Sequence, residues 1–129
     1  MNITLDTHTL YWYMVKELNN KLSEKALNTI KLAESTGTIY ISIITFLEIL
    51  HLSENKSKLN ISFNDLLRNI EALNNYSIIS FDVNILKISK ELKNLESHDR
   101  IILATSIFTD STLISKDNEL LNKGYNVIW

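Results

Sequence analysis

The chain has 129 residues, 45% of them apolar, and a net charge of −2. It is long enough to bury roughly two thirds of its unfolded surface, and it lacks the global basic field of a passive nucleic-acid-binding protein. There is no cysteine, which excludes a disulfide framework, a thiolate metal site and a cysteine nucleophile. The opening MNITLD has no basic segment ahead of an apolar run, and the longest apolar stretch is interrupted by Thr45, Glu48 and His51. The expectation is therefore a single cytoplasmic domain over residues 1–129, with no signal peptide and no membrane span.

Asn2 to Leu5 reads as a short strand ending in Asp6, followed by a helical pattern with Leu10, Tyr13, Met14 and Leu18 inward. An acid at the carboxyl end of a strand, just before a helix, occupies a usual active-site position in open α/β sheets, and it can equally cap the helix. His8, beside it, reads as structural or surface. The next helix runs from Ser23, a plausible N-cap, to Glu34, with Ala26, Leu27, Ile30 and Ala33 as its buried stripe. Gly37 ends it and turns the chain into a strand, Ile39 to Ser42.

That strand runs on into an apolar helix. In the whole stretch IYISIITFLEIL only Glu48 is charged at neutral pH. An unpaired ion in such a setting loses many kcal/mol of hydration, so Glu48 must be protonated, paired or bound to a cation. Glu48 and His51 also form an E-x-x-H pair of the kind found in di-iron bundles. No second pair exists on another long helix, and His51 reads as the exit of the helix toward solvent.

The polar NKSKL segment carries Lys56 and Lys58 and reads as a loop. Ser62 with Asp65 is a capping-box signature opening a helix from Phe63 to Leu73, with Leu66, Leu67, Ile70 and Leu73 inward. Tyr76 to Phe81 is another strand. Asp82 then caps a helix that turns Ile85, Ile88 and Leu92 inward. Asp99 opens a further helix, whose apolar positions are Ile101, Ile102, Leu103, Ile107 and Phe108. Thr112 to Ser115 is a strand with Asp117 just past its end. A helical turn, Gly124 and a last strand, Asn126 to Trp129, complete the chain. About five short strands alternating with helices argue for a three-layer α/β/α sandwich around a mainly parallel sheet.

Asp6, Asp99 and Asp117 stand where such a sheet forms its cleft, and Glu48 can project into it. Four carboxylates so close repel, and a hard divalent cation with oxygen ligands resolves the repulsion. One or two such ions activate water and stabilise a leaving oxygen in phosphodiester cleavage. No Ser-His-Asp spacing, no G-x-x-x-x-G-K-[ST] and no G-x-G-x-x-G is present, so nucleophilic side-chain catalysis and nucleotide loops have no support.

The blocks LDTHTLYWY, ISIITFLEI, HDRIILATS, LISKDNEL and GYNVIW follow one another as in PIN-domain proteins, and more narrowly resemble the VapC-type toxins of toxin–antitoxin pairs. The resemblance spans essentially the whole chain. It implies a Mg²⁺- or Mn²⁺-dependent endoribonuclease using one or two ions, with the family's acids falling on Asp6, Glu48, Asp99 and Asp117. Thr7 and Ser115 would be supporting hydroxyls, Ser115 being that of the S/T-x-D motif. The basic residues usual after the glutamate helix are displaced here to Lys56 and Lys58. With Arg100 and Lys116, these are the candidate RNA contacts. The resemblance also implies a homodimer, a cognate antitoxin covering the active site, and tRNA or ribosomal RNA as substrate. Tyr11, Trp12, Tyr13 and Phe46 include aromatics beyond what one small core needs. Competing readings are a non-toxin PIN-like nuclease, a silent PIN-like scaffold that binds a partner, and a phosphohydrolase with Asp6 as nucleophile. In the last, the second acid of a D-x-D loop would fall on His8.

Overall fold

The computed structural model describes residues 1–55 and 61–129. Five strands form one sheet: β1 (Ile3–Leu5), β2 (Ile39–Ser42), β3 (Tyr76–Ile79), β4 (Thr112–Ile114) and β5 (Val127–Ile128). Their order is β3-β2-β1-β4-β5 and every pairing is parallel. Among the described residues seven helices flank them: α1 (Thr7–Met14), α2 (Glu24–Thr36), α3 (Ile43–Glu54), α4 (Phe63–Ala72), α5 (Val83–Lys90), α6 (Ser97–Phe108) and α7 (Asn118–Leu121). The expected α/β architecture with about five parallel strands is thus the observed one.

The sheet is buried because both of its faces are covered, as parallel crossovers require. The three residues of β1 and of β4 are all buried, and the pleat sends alternate side chains to opposite layers. Ile3, Leu5, Ile39, Ile41 and Ile114 pack with Leu10, Ala26, Ile30, Phe46, Ile49, Leu66 and Ile70 in one cluster. Leu113 packs with Ile85, Ile102, Leu103 and Leu120 in another. Buried hydroxyls on the strands are paired: Thr4 Oγ1 lies 2.7 Å from Ser111 Oγ. Thr45 Oγ1 is the one buried side-chain polar atom without a partner among the described residues.

Several local expectations shift at element ends. The first helix stops at Met14, and Lys16–Lys21 tightens into a 3₁₀ segment that carries Leu18. The helix before Gly37 runs on to Thr36, past the expected end at Glu34. Gly37 itself is extended rather than left-handed (φ −140°), and a Cβ there would meet Met1 O at 2.0 Å. It is glycine because the chain's first residues pass against it. Leu73 falls outside α4 and is exposed, and Ile107 and Phe108 at the end of α6 are exposed as well. The cap of α6 is Glu96, whose carboxylate accepts from the amides of His98 and Asp99. Asp99 sits in the first turn rather than opening the helix. Ser23, Ser62 and Asp82 cap their helices as expected, and His51 points into solvent near Glu54.

Glu34 ties α1 to the sheet. Its carboxylate accepts from Tyr13 Oη on α1 and, at 2.8 Å, from Tyr76 Oη on β3, while Asn75 Nδ2 donates to its backbone carbonyl. Burial first, and the neighbouring carboxylate second, push both phenols well above their usual range, so they remain donors. Glu34→Ala strands two half-buried hydroxyls and is expected to lower stability by about 1–3 kcal/mol in urea denaturation, with most of that loss absent from Tyr13→Phe.

Candidate active site

The site lies where the strand order reverses. From β1 the chain crosses to β2 on one side, whereas β3 leads through α5 and α6 to β4 on the other side of β1. The carboxyl ends of β1 and β4 therefore diverge into a crevice, the usual ligand position in open α/β sheets. Leu5 pairs with Ile114, so the residues following these two strands emerge side by side. Asp6 follows the first strand, and Ser115, Lys116 and Asp117 follow the second. Thr9 Oγ1 donates to Ile114 O across the gap and fixes the start of α1 against β4.

A cavity of about 430 Å³ opens there, lined by Asp6, Thr7, His8, Trp12, Glu48, Asp99, Lys116 and Asp117. All four acids singled out in the sequence reach it, from the ends of two strands and from the faces of α3 and α6. Asp6 is both cap and wall: its Oδ1 accepts from Thr9 N at 3.0 Å. Burial raises its carboxyl above the usual range, against the opposing influence of the Ser115 and Thr9 hydrogen bonds and the nearby His8. Ser115 is fully buried beneath the cavity and its Oγ accepts from Asp117 N at 3.1 Å, so this hydroxyl joins the two strand-end acids. Asp117 in turn caps α7, accepting from Glu119 N at 2.9 Å.

Glu48 answers the question its sequence context raised. Its Oε1 accepts from Thr7 Oγ1 at 2.5 Å and its Oε2 lies 3.3 Å from His98 Nδ1, so both oxygens are engaged by the protein. Its side chain is 29% exposed, at the rim of the cavity rather than in the core. His98 was not legible as a site residue, since no spacing rule distinguishes it from any polar residue in a helix's first turn. Only the packing of α3 against α6 reveals it. Thr7, a candidate from the sequence, donates its hydroxyl to Glu48.

Asp99 carries the clearest electrostatic signature. Its carboxyl is raised from 3.8 to about 7, first by burial and then by the charges of Asp117, Glu96 and Glu48, with a hydrogen bond to Asp117 in the same direction. The acids therefore sense one another's charge. Among the described residues no three acids or histidines are yet drawn together tightly enough to hold a metal ion. The donor chemistry is nonetheless that of a hard cation, all carboxylate oxygen. Glu48 is held by Thr7 and His98, and Asp6 accepts from an amide.

Of the basic candidates, Lys116 lines the cavity. Arg100 does not: its guanidinium donates to Ser89 O at 2.7 and 3.1 Å and faces a separate hollow beside Phe81 and Leu86, where it braces α5 against α6. Lys56 and Lys58 fall outside the described residues. His8 stacks on Trp12 at 5.5 Å, tilted by 48°, in keeping with a surface role and not with the second acid of a D-x-D loop.

A raised acid makes the folded protein most stable when that acid is protonated. Without metal, the contribution of Asp99 is fully present below about pH 4 and is lost as pH rises through about 7. Asp99→Asn is expected to melt higher than wild type at pH 8 in EDTA, on the order of 3 °C, with the difference vanishing below about pH 4 in a thermal melt series.

Residues 3–124 match the family model of the PIN domain. Among solved structures, the chain resembles one in a toxin–antitoxin complex from Klebsiella pneumoniae (22% identity, TM-score 0.68, covering 98% of this chain and 96% of that one). It also resembles one in VapBC2 from Rickettsia felis bound to a DNA fragment from its promoter (20%, 0.65, 99% and 96%) and one in FitAcB from Neisseria gonorrhoeae (19%, 0.66, 98% and 96%). No curated protein matches. At these identities the structural likeness carries the fold. The family model, which takes in nearly all of the sequence from β1 to Gly124, carries the membership, and by it the chain belongs to the PIN-domain family, a family of nucleases.

Proposed function

We propose that the protein is a divalent-metal-dependent endoribonuclease, acting as the toxin of a toxin–antitoxin pair. The observation that carries the reading is the cavity at the switch point. Four carboxylates from four separate segments line it, and Asp99, raised first by its burial, is raised further by the charges of Asp117, Glu96 and Glu48. Such an arrangement is unfavourable for the protein alone and becomes favourable when a cation joins it.

Asp6, Glu48, Asp99 and Asp117 would hold one or two Mg²⁺ or Mn²⁺ ions. When bound, the cation supplies activation of water and stabilisation of the leaving oxygen. The rest is done by the chain itself. The Asp6 carboxylate is aimed by Thr9 N and by Ser115, so it enters the cavity in one orientation. The Thr7 hydroxyl and His98 Nδ1 orient Glu48 from two sides. Lys116 is the cation at the rim available to a substrate phosphate. The protein's small negative charge means that affinity for RNA must come from such local contacts.

The toxin assignment rests on the resemblance to VapC-type sequences and on the folds of the similar chains in toxin–antitoxin complexes. A cognate antitoxin, a homodimer, a tRNA or ribosomal RNA target and a cytoplasmic location belong to the same proposal. Exposed apolar side chains at Phe81, Val83 and Leu86 support a surface covered by a second chain. Among the described residues no helix is long and apolar enough to cross a membrane.

Purified protein incubated with total RNA and Mn²⁺ is expected to give discrete fragments that EDTA abolishes. Asp6→Asn keeps an effective helix cap while removing the charge, and is expected to cut about 100-fold slower or less. Equal cleavage by the two proteins would overturn the reading. If neither cuts, but the chain pairs tightly with a neighbouring gene product and binds no Mn²⁺, it is a silent PIN-like scaffold.

A further inference from the structure

A second cavity of about 450 Å³ adjoins the acidic one and shares Thr7, His8 and Trp12 with it as a common wall. Its character is opposite. Tyr11, Trp12 and Leu18 make it aromatic and apolar, Lys21 gives it positive charge, and among the described residues no acid lines it. Trp12 stands at the junction. The edge-on packing of Trp129, with centroids 6.0 Å apart, holds the orientation of its ring, and His8 leans on it at 5.5 Å. Lys21 Nζ and Lys116 Nζ each lie 5.9 Å from the centre of the Trp12 ring. That is the outer limit of a cation–π contact, so each ammonium is displaced from the ring at little cost.

We propose that this Trp12 pocket is a nucleobase subsite, in which one base of a single-stranded RNA next to the scissile phosphate stacks on the indole while Lys21 and Lys116 take the adjoining phosphates. This deepens the nuclease reading and rests on it. The chemistry of the pair of cavities selects the ligand. The acidic cavity suits a phosphodiester only together with cations, whereas the pocket beside it offers a planar π surface and ammonium groups at its edges. A polymer alternating anionic links with flat aromatic units meets both. Single strands are selected because a base must leave its duplex to lie flat on a side chain. Stacking is tolerant of base identity, so the pocket contributes affinity and register rather than a strict sequence code. The position of Trp12 in the shared wall means that a base held there places its own phosphate toward Asp6 and Asp117.

The test begins with an RNA oligonucleotide spanning a cut site that wild-type protein makes with Mn²⁺, and with copies of it carrying an abasic ribose at either nucleotide flanking the cut. Trp12→Leu is expected to raise KM about 10- to 100-fold with kcat little changed, and Trp12→Tyr to recover most of the loss. For wild type, one of the two abasic oligonucleotides should show a similar rise in KM. For Trp12→Leu the same abasic change should add little, because the partner of the base is already gone. This arm with wild-type protein stands even where Trp12→Leu fails to fold. Cleavage with unchanged KM for Trp12→Tyr, Trp12→Leu and both abasic substrates would overturn the subsite while leaving the nuclease intact. So would a Trp12→Leu protein that loses a protein partner but keeps its KM for RNA. No cleavage by wild type with Mn²⁺ would overturn the nuclease reading itself.

Discussion

The structure is organised around the cost of keeping carboxylates together. Nothing in elementary folding energetics favours four acids lining one cavity, and the carboxyl of Asp99, raised first by burial and then by the neighbouring acids, carries part of that cost. The remainder of the fold offsets it. The central strands that deliver Asp6 and Asp117 are buried on both faces, and their register is fixed by side chains committed to particular layers, Ile3, Leu5 and Ile114 to one and Leu113 to the other. A one-residue slip of β4 against β1 would send Ile114 to the wrong layer as well as moving Asp117. The apolar core thus sets the position of the charges.

The helices complete the arrangement by contacts that serve two ends at once. Thr9 caps and tethers: its amide satisfies Asp6 while its hydroxyl bonds to the last carbonyl of β4. Glu34 gathers Tyr13 and Tyr76, so that α1 is anchored at the end remote from Asp6. Between those two fixed points lies Trp12, which therefore belongs to a rigid surface. Rigidity matters here because a stacking platform that had to order on binding would lose much of its affinity to entropy.

Much of this was legible in the sequence, for identifiable reasons. The strand-to-helix junctions announced themselves through apolar runs ended by Asp6, Ser42, Asp82 and Asp117, and each of these side chains does cap a helix. The conflict posed by one glutamate in the apolar helix at Glu48 was also visible, because desolvating a charge is so unfavourable that an unexplained one stands out. What compensates it was not. His98 lies fifty residues away in sequence and meets Glu48 only through the packing of α3 on α6, which no local pattern encodes. Arg100 misled for the same reason: next to Asp99 in the chain, it is turned away by the helix toward Ser89. Neighbours in sequence on a helix point about 100° apart, so adjacency to a site residue is weak evidence of sharing the site.

Two of the four acids are at once helix caps and cavity walls, and this double duty determines how any substitution there has to be understood. Asp6 and Asp117 each accept from a backbone amide in the following turn. Replacing either by alanine removes a cap, worth typically about 1 kcal/mol, together with a charge, so a loss of activity would not separate unfolding from chemistry. Asparagine keeps the oxygen acceptor and removes only the charge. Glu48 and Asp99 cap nothing, but only for Asp99 is the charge a burden; the Glu48 carboxylate is held by Thr7 and His98. Asp99→Asn should hold the fold at least as well as the native residue does, and Glu48→Gln keeps the acceptor for Thr7. A pattern in which all four asparagine or glutamine substitutions spare the fold and remove the reaction would therefore locate function in the shared charge of the cavity. Loss of fold in the alanine variants of Asp6 or Asp117, spared in the asparagine variants, would instead assign those two to capping. The distinction follows from hydrogen bonds alone and holds whatever the substrate proves to be.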